Sequence, residues 1–67
     1  MKHKVNNEVD FIGIEGMDSF YPMKTIIVEV TTFGMYMIAH PNGYIDANNN
    51  LTVCVGEEHL KLIENEK

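Results

Sequence analysis

The residues that most often perform chemistry in proteins are few in this chain and lie far apart in its sequence. It contains one cysteine, Cys54, and three histidines, of which His40 and His59 could meet the thiol in space. No Cys-x-x-Cys or His-x-x-x-His spacing supports a metal site, and structural zinc sites usually have four ligands. We therefore expect no metal and no cofactor, with Cys54 packed as a small apolar residue and the histidines at surface turns.

Groups suited to covalent or acid–base catalysis are equally sparse. Cys54 lies in the middle of "TVCV", without a glycine-rich turn or helix N-terminus to activate the thiol, and Ser19 is the only serine. Two pairs of carboxylates are present, Glu15 with Asp18 and Glu57 with Glu58. General acid–base catalysis needs a cleft that shifts one pKa of such a pair, and a chain of 67 residues rarely encloses one. We expect no catalytic residues and no enzymatic activity.

The elements that would position these residues are predicted by an alternation of apolar and polar side chains, which is the period of β-strands. The alternation predicts strands over 8–14, 25–32, 35–40 and 51–55, with a short continuation at 44–46. Gly34 beside Phe33 marks a tight turn, so 25–32 and 35–40 should pair as a hairpin. Pro41 and the Asn42-Gly43 pair are two further turn signals. No segment has the length and period of a helix.

The alternation also assigns side chains to the two faces of each strand. In 25–32 it separates Ile26, Val28 and Val30 from Ile27, Glu29 and Thr31. In 35–40 it separates Tyr36, Ile38 and His40 from Met35, Met37 and Ala39. In 51–55 it separates Leu51, Val53 and Val55 from Thr52 and Cys54.

The C-terminal stretch "VGEEHLKLIE" has two interpretations. Leu60 and Ile63 at helical spacing suggest a short amphipathic helix, whereas Leu60 and Leu62 on either side of Lys61 suggest a strand. A helix this short is marginal in water, while a strand would cover an exposed sheet edge. We favour a strand over 60–63, entered through a single 3₁₀ turn at 56–59.

This order of elements resembles the Src-homology-3-like small barrel of short bacterial and phage proteins. The resemblance is carried by "VNNEVDFIG", "IEGMDSFYP", "TIIVEV", "MYMIAHPNG" and "LTVCVGEEHLKLIE". It implies an all-β fold, a five-stranded Src-homology-3-like barrel in one domain over 1–67, with 1–7 and 64–67 loosely ordered. The chain lacks the tryptophan of peptide-binding members and the basic composition of RNA-binding members, so neither function is carried over.

Charge narrows the class of partner. Ten Asp and Glu residues face five lysines and no arginine, which gives a net charge of −5. Nucleic-acid binders need cations to displace phosphate counterions, so direct binding of nucleic acid is disfavoured. A lone thiol is typical of a reducing compartment, and no apolar run reaches the ~20 residues that span a bilayer. We expect a cytoplasmic protein without a membrane segment.

The loop "EGMDSFYPMK" is the most distinctive surface feature predicted. Large apolar residues occupy positions where a loop is usually polar, and such residues are enriched at protein interfaces. Our leading hypothesis is a non-enzymatic module, of the phage or mobile-element accessory type, that binds a protein partner. The residues predicted to contact it are Asp18, Phe20, Tyr21, Tyr36 and Tyr44. Two alternatives remain: Phe20 or Met17 could instead fill the open end of the barrel, and Tyr36 and Tyr44 could cap apolar neighbours.

A rival hypothesis rests on the acidic residues. Carboxylates gather near the C-terminus at Glu57, Glu58, Glu64 and Glu66. They form either a solvated rim that keeps the protein soluble or a surface that imitates nucleic-acid phosphates. A weak nucleic-acid-associated regulatory role belongs with the second of these hypotheses. The oligomeric state is left open, because an exposed first or last strand could pair two copies.

Overall fold

The structure is a computed structural model that describes residues 3–62, and it is all-β. Five antiparallel strands form one sheet that curls into a half-barrel. Their bounds are β1 (Glu8–Phe11), β2 (Met23–Val30), β3 (Tyr36–Ile45), β4 (Leu51–Val55) and β5 (Leu60–Leu62), in the spatial order β4-β3-β2-β1-β5. A single 3₁₀ turn over Glu57–His59 precedes β5. The all-β, five-stranded prediction with one 3₁₀ turn before the last strand is confirmed.

The strand pairings follow the predicted order. β2 and β3 form the expected antiparallel hairpin across the turn that contains Gly34. β1 lies between β2 and β5, so the C-terminal segment is a strand, with Phe11 opposite Leu60. Of the segments predicted to be loosely ordered, 1–7 and 64–67, residues 1–2 and 64–67 lie outside the described residues, as does Ile63. Within residues 3–62, no helix is long and apolar enough to cross a membrane.

The core lies on the concave face of the sheet and draws on every strand. Its buried members are Val9, Phe11, Phe20, Ile27, Tyr36, Ile38, Val53, Val55 and Leu60. Phe20 belongs to the loop between β1 and β2, so this loop contributes to the core as well as connecting two strands. Burial of apolar area on this scale is the main favourable term in a small domain.

Two irregularities in the sheet decide which side chains are buried. In β2 the register shifts between Ile27 and Glu29, so that Ile27 and Val30 both face the core although three positions separate them. In β3 the register shifts between Ala39 and Tyr44, both of which pair with Thr52. The turn predicted at 41–43 is therefore a bulge inside one long strand, and the chain does not reverse there.

Three side-chain positions differ from the predictions. His3 and His40 are 3% and 2% exposed, so neither is at a surface turn. His40 is buried because it continues the core-facing alternation of Tyr36 and Ile38. Cys54 is exposed, because its strand partner Met37 lies on the outer face of the sheet. The prediction that Cys54 packs in the interior was wrong.

Candidate functional site

The loop over 12–22 has an ordered backbone conformation of its own. Its N–H groups donate to carbonyls within the loop, from Met17 to Ile14 (3.0 Å) and from Phe20 to Met17 (3.0 Å). The N–H of Ile12 donates to the carbonyl of His59 (3.0 Å), which ties the start of the loop to the 3₁₀ turn. Gly16 has a φ of +83°, a conformation that few other residues adopt, so the tight turn depends on it.

The β3 bulge holds the other end of the loop. The amide Nδ2 of Asn42 donates to the carbonyl of Ser19 at 2.7 Å, and Nε2 of His40 lies 3.1 Å from the carbonyl of Tyr21. The N–H of Asn42 donates to Nδ1 of His40 at 3.1 Å, so Nδ1 carries no proton. Nε2 is therefore protonated and donates to Tyr21. The bonds to Ser19 and Tyr21 join the loop to the sheet, and the bond between Asn42 and His40 lies within β3.

Aromatic packing reinforces this connection. The ring of His40 contacts Tyr21, Phe20 and Phe11 with centroid distances of 4.8, 5.5 and 5.5 Å. Tyr44 extends the cluster, with its ring 6.3 Å from that of Phe20. Aromatic contacts of this kind add to the stability gained from burial. The loop is thus fixed by packing as well as by hydrogen bonds.

A groove of about 530 Å³ opens between the loop and the 3₁₀ turn; we call it the loop groove. Its exposed apolar walls are Ile12, Met17 and Tyr21, at 54, 46 and 44% exposure. Glu15 and Asp18 also line it, and both carboxylates are exposed. Neither forms an ion pair or a side-chain hydrogen bond within the described chain. The groove therefore offers apolar contact area beside negative charge.

The predicted contact residues divide into two groups. Asp18 and Tyr21 line the loop groove, and Tyr44 is 71% exposed at the edge of the aromatic cluster. Phe20 is 5% exposed and fills the core, as the alternative had it. Tyr36 is 1% exposed, and its hydroxyl accepts a hydrogen bond from the His3 N–H (3.4 Å). Burial removes Phe20 and Tyr36 from the contact surface.

Sequence reasoning missed two contributors to this site. Ile12 was assigned to a strand, but β1 ends at Phe11 and leaves the Ile12 side chain exposed beside the groove. Gly13, with a φ of +88°, was the available signal that the strand ends there. His40 is predicted at a surface turn. The available signal for its burial was that it shares a strand face with Tyr36 and Ile38.

In the described part of the chain, the ionisable side chains that line the groove are Glu15, Asp18, Tyr21 and His59. No group of three or more His, Cys, Asp or Glu residues there is placed to hold a metal ion. The carboxylate of Glu58 and the ring nitrogen Nε2 of His59 are 3.7 Å apart. Cys54 forms no hydrogen bond with a histidine among residues 3–62.

No family model, curated protein or solved structure matches this chain. Its function is therefore inferred from the groove itself.

Proposed function

We propose that the protein is a non-enzymatic interaction module that binds a protein partner in the loop groove. The observation that carries this is the group of exposed Ile12, Met17 and Tyr21 beside the exposed carboxylates Glu15 and Asp18. Isolated apolar residues on a surface are common, but several lining one concave site are typical of binding surfaces.

The loop's rigidity supports binding. Ordering a flexible loop on association costs free energy for each side chain that is immobilised. Here the hydrogen bonds from His40 and Asn42 already set the positions of Tyr21 and Ser19 before any partner arrives. Tyr21 is suited to be the main contact, because its ring is fixed against His40 while 44% of the residue stays exposed. Tyr44 extends the same surface.

The five-stranded half-barrel supports a further proposal about ancestry. The long first loop, the central hairpin and the 3₁₀ turn before the last strand occur in the order of Src-homology-3-like small barrels. We propose that the protein belongs to that structural group and has a cytoplasmic accessory role of the phage or mobile-element type. The fold alone does not determine a function, so the groove carries the functional argument.

The experiment is partner capture followed by affinity measurement. The tagged protein isolates binding proteins from its native host, and titration calorimetry then compares variants with the purified partner. Tyr21→Ala should weaken binding at least about tenfold, equivalent to about 1.4 kcal/mol, and Asp18→Ala by a smaller factor. Phe33→Ala is the matched control, because Phe33 is 88% exposed in the β2–β3 turn, outside the groove. Equal affinity of all three folded variants would exclude the loop groove as the site.

Acidic mimicry of nucleic acid is the second candidate, and the 3₁₀ turn favours it. Glu57 and Glu58 are exposed beside a groove that already carries Glu15 and Asp18. Glu64 and Glu66 lie outside the described residues. A partner held mainly by charge should lose affinity steeply between low and moderate salt, whereas an apolar contact should change little. If DNA or RNA displaces this protein from the captured partner, the result would favour mimicry.

A further inference from the structure

A second groove, of about 560 Å³, lies on the outer face of the sheet beside the first; we call it the lysine groove. β1 places Asp10 directly opposite Lys24 on β2 and Lys61 on β5, so the three side chains form one row across three strands. Both lysines are exposed, and Asp10 is half-buried between them. This groove therefore has a net positive charge in a protein whose overall charge is −5.

The two grooves are adjacent and share part of their lining. Ile12 and Pro22 line both of them, with the carboxylates of the loop groove on one side and the lysines on the other. At 54% exposure, Ile12 presents a large apolar side chain at the boundary. Within residues 3–62, neither Lys24 nor Lys61 forms an ion pair, and the same holds for the carboxylates of the loop groove. The surface thus carries free charges of both signs around an apolar centre.

From this arrangement we infer that the surface binds a second copy of the same chain. In a two-fold interface, a residue away from the axis meets a different residue of the other copy and the reverse contact also forms, whereas a residue on the axis meets its own counterpart. With the two-fold axis near Ile12, the Glu15–Asp18 side of each copy faces the Lys24–Lys61 side of its partner, and the two Ile12 side chains meet at the centre. The charges of this surface are therefore complementary to those of the same surface on a second copy.

A second copy fits better than a uniformly basic or acidic partner. A uniformly basic partner would place positive charge against the two lysines. A uniformly acidic partner would place negative charge against the two carboxylates. Only a surface with opposite charges at its two ends neutralises both, and this chain carries such a surface. Association should be weak and reversible, because two molecules of net charge −5 repel one another at long range.

This inference goes beyond the proposed function and has one consequence for it. The second copy would cover the loop groove, so self-association and partner binding would exclude one another. The dimer does not require the partner, and failure of one proposal leaves the other standing.

The test is a charge exchange followed by sedimentation velocity over a concentration series up to about 1 mM. One variant carries Glu15→Lys and Asp18→Lys, and the other carries Lys24→Glu and Lys61→Glu. Alone, each variant should dimerise at least about tenfold more weakly than the natural chain, because like charges then face each other at both ends. Mixed, the two variants should form a heterodimer with a dissociation constant within about threefold of that of the natural dimer.

Two controls separate this interface from general charge effects and from misfolding. Glu29→Lys changes an exposed carboxylate that lines neither groove, and it should leave dimerisation unchanged to within about twofold. Ile12→Ser should weaken dimerisation without any change of charge, and a circular-dichroism spectrum of each variant checks its fold. A natural chain that stays monomeric at 1 mM overturns the inference. So does a dimer that survives both charge exchanges, or a variant mixture that remains monomeric.

Discussion

His40 of β3 hydrogen-bonds through Nε2 to the backbone carbonyl of Tyr21, 19 residues earlier in the chain, at 3.1 Å. The same imidazole accepts a hydrogen bond at Nδ1 from Asn42, so its two nitrogens join the loop to the β3 bulge. The bond is partly buried, and a carbonyl shielded from water is costly to leave without a donor, which His40 supplies here. The position of the candidate binding surface therefore depends on a residue that does not itself line the groove.

Replacing this histidine should destabilise the whole domain. His40→Ala removes a side chain that is 2% exposed, leaves a cavity among three aromatic rings and leaves the Tyr21 carbonyl without its donor. We expect a loss of about 3 kcal/mol in the free energy of unfolding, measured by urea denaturation. His59→Ala is the control and should cost no more than about 0.5 kcal/mol, since its ring nitrogen lies 3.7 Å from a Glu58 side chain that is 76% exposed. Similar losses for the two variants would contradict the role assigned to His40.

Asn42 should control the loop more than the global fold. Its side chain donates to Ser19 at 2.7 Å in an exposed position, so Asn42→Ala should cost only about 0.5–1 kcal/mol in global stability. Amide hydrogen exchange at Met17 and Phe20 should nevertheless accelerate, because the loop can then open locally without unfolding the sheet. Asn48→Ala, in the exposed β3–β4 turn, provides the comparison. Unchanged exchange in the loop would show that Asn42 does not hold it.

Phe20 and its neighbour Tyr21 should respond in opposite ways to truncation. Phe20 is 5% exposed and Tyr21 is 44% exposed, so adjacent aromatics serve the core and the surface respectively. Phe20→Leu keeps an apolar side chain but removes the ring contacts with His40 and Tyr44, and it should cost about 1–2 kcal/mol. Tyr21→Ala should cost less in stability and more in partner affinity. The unfolding midpoint in urea and the calorimetric titration measure the two effects separately.

Local patterns in the sequence were sufficient to predict most of the fold. Alternating side chains predicted the β2–β3 hairpin and β4, and Gly34 marked the hairpin turn. The strand at Leu60–Leu62 followed from the need to cover a sheet edge and from the weakness of short helices. Each of these features depends on residues close together in the chain.

What the sequence did not predict depends on pairing between distant residues. Alternation defines two faces in β2, but the bulge after Ile27 buries Ile27 and leaves Ile26 41% exposed. Pro41 and Gly43 are turn residues in isolation, yet pairing with β4 keeps them inside β3. For the site, the loop and its Asp18 and Tyr21 were predicted, whereas the role of His40 required knowledge of the fold.

The β3 bulge itself is open to a direct test at Gly43. A Cβ atom placed on Gly43 would overlap the backbone of Thr52, with its nitrogen at 2.8 Å and its carbonyl carbon at 2.6 Å. Backbone atoms cannot move aside as the end of a flexible side chain can, so Gly43→Ala should separate β3 from β4 locally and cost about 1–3 kcal/mol.

Gly34 provides the matched comparison, because it has a φ of +78° and nothing within 4 Å of the added atom. Gly34→Ala should cost about 1 kcal/mol through backbone strain alone, and Gly34→Asn should recover part of that loss, since asparagine tolerates positive φ. Gly43→Asn should recover nothing, because the obstacle there is the space occupied by Thr52. Urea denaturation of the four variants distinguishes backbone strain at position 34 from steric overlap at position 43. If Gly43→Asn is more stable than Gly43→Ala, the bulge does not hold the backbones of Gly43 and Thr52 in close contact.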